Sequence, residues 1–144
     1  MPAKGYKKMK QPSIKTKAWQ AFAKYVKLRD CLATTGTCTM GVCITCGQKW
    51  LYSQLEAGHA IGGRTNSILF DEQLVNAQCV DCNRNQYGNY GKYNIWYINK
   101  YGLQNWEEKI ALSKSIRQYK DYEYLGIVSI YKDKCQELEV KYGL

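Results

Sequence analysis

Seven cysteines and a single histidine are the residues of this 144-residue chain best suited to chemistry. Four of the cysteines stand as Cys43-x-x-Cys46 and Cys79-x-x-Cys82. Each pair presents two thiolates about one turn apart, and two such pairs close a tetrahedral four-sulfur site of the kind that holds structural zinc. A closed site leaves no open coordination position, so the ion there holds a fold and does no chemistry. Cys31, Cys38 and Cys135 read as small buried hydrophobes, with Cys38 near enough in sequence to the first pair to stand in for one of its ligands. His59 lies thirteen residues after Cys46, in the stretch LEAGHAIGGR. Four cysteines satisfy the zinc without it. The imidazole is left either for acid–base chemistry, which its ordinary pKa of ~6.5 suits, or for a plain structural hydrogen bond.

The elements that must position these groups follow from periodicity. Residues 1–15 form a basic arm interrupted by Pro2, Gly5 and Pro12. The spacing of Trp19, Phe22, Ala23 and Val26 predicts a helix over 16–30, with Lys17, Lys24 and Lys27 turned to another side. Residues 49–61 read as extended chain, broken by Gly62 and Gly63. Beyond the second cysteine pair the chain turns helical. Tyr93, Trp96, Tyr97 and Tyr101 fall at helical steps before Gly102, Asn105 with Glu108 resembles a helix start, and Asp121 opens a last helix with an apolar stripe of Leu125, Val128, Tyr131, Cys135 and Leu138. The expected fold class is α+β in a single domain over 16–144: a small zinc-bound core at about 38–102, an N-terminal helix, and C-terminal helices over about 104–142.

Charge points to a partner. The net charge is +9, and nine of the 21 basic residues precede the first acid, Asp30, so the excess lies entirely in the first 29 residues. Such a one-sided cationic segment suits a polyanion, most simply a nucleic-acid backbone, with Lys7, Lys8, Lys10, Lys15, Lys17 and Lys24 as phosphate contacts. The bland alternative is a solubilising tail. No apolar run approaches the ~20 residues that cross a bilayer, and no apolar segment follows the lysine-rich start. No membrane role is expected, and the expected location is cytoplasmic, where thiols favour metal over disulfides.

The order Cys-x-x-Cys, His, Asn, Cys-x-x-Cys-Asn resembles the HNH, or ββα-metal, nucleases built on a treble-clef zinc scaffold, including the endonuclease VII type of junction resolvase. The segments CITCG, EAGHAIGGRTNSILFDE, VNAQCVDCNRN, GNYGKY and WQAFAKYVKLRDCLAT resemble the phage NinG (Rap) recombination proteins more closely still. This likeness runs from about Trp19 to Gly102. It implies a phage-encoded nuclease for branched recombination intermediates, of Holliday-junction or D-loop type, working in the host cytoplasm. By the resemblance His59 is the general base and Asn83 binds a catalytic magnesium or manganese ion. Many HNH members carry Asp directly before the catalytic His; here that position is Gly58, and Glu56, two residues earlier on the same face of an extended strand, is the substitute, with Asp71 and Asp81 as weaker candidates. Asn76 is expected to orient the His59 loop. Arg64 and Arg84 either hold flanking phosphates or are surface charge, and Asn85 is a cap or a turn residue. The aromatic run from Tyr87 to Tyr97 either stacks on unpaired bases or, as helical spacing favours, forms core. Symmetric cutting of a four-way junction calls for two active sites and hence a homodimer, with phage or host recombination proteins as further partners. The competing readings are a non-catalytic zinc-finger DNA-binding accessory protein and a zinc-bound interaction module.

Overall fold

The computed structural model describes Gly5 and residues 10–144; Lys7 and Lys8 of the basic arm lie outside the described residues. The chain is a mixed α+β protein. Its elements run α1 (Ile14–Thr35), β1 (Met40–Val42), β2 (Lys49–Leu51), a 3-10 turn (Tyr52–Gln54), β3 (Leu55–His59), β4 (Val75–Cys79), a π-helical turn (Asp81–Asn85), α2 (Tyr90–Tyr101), α3 (Leu103–Ser113) and α4 (Asp121–Tyr142).

Helix α1 starts where Ser13 Oγ accepts from the Thr16 amide at 3.1 Å, and stops where Gly36 takes a left-handed φ of 73° and donates back to the Leu32 carbonyl. It begins two residues earlier and ends five later than the predicted 16–30, so Lys15 belongs to its first turn and not to the arm. The extension carries Cys31 and Leu32, which are buried along with Ala18, Phe22, Val26 and Leu28. Helix α4 packs along α1. It starts as expected at Asp121, with Glu123 accepting from the Lys120 amide at 2.8 Å. Its inward stripe differs from the predicted one. Leu125 is exposed, and Tyr124, Ile127, Tyr131, Cys135 and Leu138 do the packing. The predicted cap of α3 is also corrected. Gly102 precedes the helix, and Asn105 lies inside it, accepting from Tyr97 Oη at 2.5 Å and donating to Gln73 at 3.3 Å.

Two antiparallel hairpins, β1–β2 and β3–β4, form the sheet structure. The second is the centre of the molecule. Its register pairs Leu55 with Cys79, Glu56 with Gln78, Ala57 with Ala77, Gly58 with Asn76 and His59 with Val75. Directly paired residues share a face, so Leu55, Ala57 and His59 turn one way, and Glu56 and Gly58 the other. The first face meets α1: Ala57 and Val75 pack with Phe22 and Val26, and Leu55, Ala77 and Cys79 with Cys31. The second meets α2, where Tyr93 Oη donates to the Gly58 carbonyl at 2.8 Å.

Helix α1 also clamps the hairpin edge through charge. Asp30 accepts from the Ala77 amide at 2.7 Å and from Arg29 Nε at 2.7 Å. Arg29 donates in turn to the Glu72 and Val75 carbonyls and to Asn76 Oδ1, at 2.9, 3.0 and 3.1 Å. Each buried charge thereby meets several partners, the condition under which a part-buried ion pair holds a structure together.

Candidate functional site

The four paired cysteines come from both hairpins. Cys43 follows β1, Cys46 lies in the turn that returns the chain to β2, Cys79 ends β4, and Cys82 sits in the π-helical turn. Gly47, at φ 72°, donates its amide to the Cys43 carbonyl at 3.0 Å and closes the first knuckle. All four sulfurs lie within 4.8 Å of one another, and Cys46 Sγ is 3.9 Å from Cys79 Sγ. Sulfurs placed tetrahedrally at the usual Zn–S distance are separated by about 3.8 Å, so the set fits a metal such as zinc. Hydrogen bonds prepare the ligands. Thr45 Oγ1 lies 3.3 Å from Cys43 Sγ, the Cys82 amide donates to Cys79 Sγ, and Asn89 Nδ2 donates to Cys82 Sγ. Burial opposes ionisation of Cys43, but donors from Cys46 and Thr45 outweigh it and bring the thiol down to about 7. Cys38 does not join this cluster; it packs against the group of Leu28, Leu32 and Cys135, and Cys31 is buried beside the four ligands.

His59 closes β3 at the other end of the hairpin. It is buried, its ring stacked on Trp19 of α1 with centroids 5.2 Å apart and planes 18° from parallel. Its Nε2 lies 3.2 Å from the Leu69 carbonyl. A carbonyl only accepts, so the neutral ring carries its proton on Nε2 and its lone pair on Nδ1. Burial drives the imidazole pKa down to about 4, with Arg64 adding to the shift and the Leu69 carbonyl and Asp71 resisting it. Arg64 lies over the Trp19 ring, its guanidinium carbon 4.4 Å from the centroid, so the indole engages both the arginine and the imidazole near the end of β3.

Asn83 and Glu56 meet on the opposite face of the same strand. Asn83 Nδ2 donates to Glu56 Oε1 at 3.2 Å, and Arg84 forms a two-pronged ion pair with the Glu56 carboxylate. These donors, countering the effect of burial, hold Glu56 below the usual carboxylate range. The substitute proposed for the missing aspartate is thus beside Asn83, with an arginine in possession of it. Oxygen donors of this type fit a hard divalent cation.

A groove of about 620 Å³ runs along the free edge of β3 and joins the two faces. Trp19, Ala23 and Lys27 of α1 form one wall, and Val80, Asn83 and Arg84 the other. Lys27 reaches into it half-buried, its ammonium 3.9 Å from the Tyr52 ring centroid. Glu56 and Arg64 line the groove as well, while His59 stays beneath Trp19.

Other expected residues have different settings. Asn76 does not bond to His59. It donates to the Gln73 carbonyl and Tyr93 Oη and accepts from Arg29, so it braces β4 opposite Gly58. Asn83 does not open an α-helix; it lies in the π-helical turn, and the left-handed run Tyr87, Gly88 and Asn89 intervenes before α2. Asn85 and Gln86 donate to Asp81, which spends that carboxylate on the turn. Asp71 is paired with Lys109 at 2.6 Å. Tyr93 and Tyr97 are fully buried core, Trp96 is partly buried, and Tyr87 is exposed. Lys10, Lys15, Lys17 and Lys24 are exposed, with Lys15 donating to Asn66 at 2.8 Å and Lys24 lying 3.6 Å from Glu139. Sequence spacing gave no sign of Trp19 as the cover of His59 or of Leu69 as its acceptor, since both contacts are made in three dimensions. Among the described residues, no helix is long and apolar enough to cross a membrane.

The fold and site define a small α+β protein with a four-cysteine cluster able to bind metal and a histidine held at the end of the same hairpin. The chain belongs to the family described as the bacteriophage lambda NinG protein, whose model matches residues 4–141. It is 30% identical over 97 residues to protein ninG of Escherichia phage 933W and to that of Enterobacteria phage VT2-Sa, and 29% identical to that of Salmonella phage P22. Each match covers 67% of this chain and 47% of the relative, so the chain spans about half the length of the curated relatives it matches. No solved structure matches it significantly.

Proposed function

We propose that the protein is a metal-dependent endonuclease of HNH type on a treble-clef-like zinc scaffold, acting on branched DNA in phage recombination. The observation that carries this reading is the state of His59. Its Nε2 is committed to the Leu69 carbonyl, so Nδ1 is left as a base at the end of the strand that also carries Glu56. The phosphate backbone would lie along the groove beside β3, where Lys27, Arg64 and Arg84 offer positive charge. His59 Nδ1 takes a proton from a water as that water attacks phosphorus; the P–O3′ bond breaks and the departing 3′ oxygen takes a proton from solvent, leaving a 5′-phosphate and a 3′-hydroxyl. Magnesium or manganese would be held by Asn83 and Glu56 and would supply charge stabilisation at the scissile phosphate. Trp19 must swing off the imidazole for water to reach it, and Arg64, leaving Trp19 for a phosphate, gives a reason for that movement.

The buried, covered imidazole also favours a second reading, a non-catalytic zinc-bound DNA-binding accessory protein in which His59 only braces the loop to Leu69. Comparison of wild type with His59→Ala on synthetic Holliday junctions, D-loops and plain duplex in magnesium separates the two. The variant is expected to keep zinc and junction binding and to lose cleavage. Equal cutting by both proteins sinks the base assignment, and no cutting by either, with tight binding retained, selects the accessory protein.

A further inference from the structure

Gln78 carries an oxygen that nothing in the fold explains. The residue is fully buried in β4, opposite Glu56 and on the face that looks towards α2. Its Nε2 donates to the Gly88 carbonyl at 2.9 Å and approaches Thr45 Oγ1 at 3.3 Å. Because the Gly88 oxygen only accepts, the amide has one workable orientation, and Oε1 must point the other way. There it has no hydrogen-bond partner. A buried acceptor left without a donor is destabilising, so the position calls for an occupant that carries positive charge or a hydrogen.

The direction of that oxygen identifies the occupant. A Cβ on Gly58 would stand 1.9 Å from Gln78 Oε1 and 3.1 Å from Asn83 Oδ1. Two amide oxygens therefore converge on the space left by the missing side chain of Gly58. The Asn83 amide is oriented as firmly as the other, since its Nδ2 donates to Glu56. Neither amide can turn its NH2 inward without abandoning an acceptor. Two carbonyl-type oxygens face this space, and the Glu56 carboxylate lies next to it, held by Asn83 Nδ2 and Arg84; with Arg84 withdrawn, these are the oxygen types that a hard divalent cation takes.

We propose that Gln78 Oε1, Asn83 Oδ1 and Glu56 form the divalent-cation site, and that Gln78 supplies from β4 the ligand that Gly58 cannot supply from β3. The use of the ion in DNA cleavage rests on the nuclease reading; its binding does not. The arrangement also accounts for the glycine: any side chain at 58 occupies the place where the Gln78 oxygen enters.

The test measures cation binding without DNA. Manganese is titrated into the full-length, zinc-loaded protein and free ion is read by electron paramagnetic resonance. Wild type and His59→Ala are expected to bind alike. Gln78→Met, similar in length but without a hard oxygen, is expected to bind at least about tenfold more weakly, as is Asn83→Ala. Gly58→Asp combined with Gln78→Ala, which moves the ligand across the hairpin, is expected to recover most of the affinity. A zinc-loaded Gln78→Met protein that binds manganese as wild type does overturns the assignment. If that variant does not fold, magnesium titration of ¹⁵N-labelled wild type decides: the Gln78 side-chain amide resonances shift if its oxygen is a ligand, and resonances that stay in place overturn it. Normal binding by wild type with no cleavage of any DNA removes the nuclease reading and leaves the cation site standing.

Discussion

The cysteine cluster and strand β3 hold their reactive groups in opposite ways. At the Cys79 end, four sulfurs from separate turns face inward on one another, with hydrogen-bond donors arranged around them. Along β3 the groups are held apart and engaged by substitutes: at the far end Trp19 lies on the imidazole of His59, and one residue in from the cysteine end Arg84 holds the carboxylate of Glu56 on the opposite face. The first arrangement has a single satisfied state once an ion is present. The second consists of a stacked ring and an exposed arginine, contacts that the proposed phosphate and cation would have to displace. A closed sulfur cluster and a looser set of side-chain contacts thus sit on two strands five residues long.

The largest expected effect comes from breaking the closed end. Removing the metal with a chelator, or making Cys82→Ser, should abolish cooperative unfolding, since metal binding in small four-ligand sites contributes on the order of 10 kcal/mol. Circular-dichroism melts with metal content measured in parallel check this; a chelated protein that still melts cooperatively contradicts the structural role. Next comes acid. His59 has a folded-state pKa of about 4 against an ordinary 6.5, so the unfolded chain takes up the proton first as pH falls. The stability contributed by the neutral ring is complete above 6.5 and is lost on the way down to 4, a drop of about 3 kcal/mol. Urea midpoints for wild type and His59→Gln across this range should converge as pH falls, and parallel curves refute the linkage.

A smaller effect is expected from Gly58→Ala. The added methyl meets the buried Gln78 side chain, and overpacking of this kind costs about 1–3 kcal/mol. Gly91→Ala is the control, since its Cβ meets open space in α2, and it should be neutral or stabilising. The smallest change in stability should follow Arg84→Ala, whose side chain is largely exposed. Its melting curve should match wild type, while the salt dependence of DNA binding loses about one counterion. An unchanged salt slope removes Arg84 from the phosphate contacts.

The cysteine cluster was legible because its information is local: two Cys-x-x-Cys turns specify two halves of a tetrahedron wherever the chain brings them. The α1 core face was legible for the same reason, through the spacing of Phe22 and Val26. Its length was not, because Cys31 and Leu32 are kept helical by packing against the hairpin and α4, and not by propensity. In α4 the predicted stripe missed by choosing Leu125 over Tyr124, since hydrophobicity alone does not report that Tyr124 meets Phe70 and Tyr119. The chemistry at His59 was visible as a residue and invisible as an environment. Trp19 is forty residues away in sequence, and which face of the strand meets α1 and which meets α2 depends on the register with β4.

That register has its own safeguard. Cys79 is at once the last residue of β4 and a ligand in the sulfur cluster, paired across from Leu55. Sliding one strand by a single position would flip every side chain to the wrong face, turning His59 towards α2 and Glu56 into the α1 core. An ion that grips Cys79 together with Cys43 makes such a slip impossible without opening the cluster. A metal bound there would therefore act on the distant histidine as a phase lock: by fixing where one strand ends, it would decide which way the imidazole faces some four residues along the other.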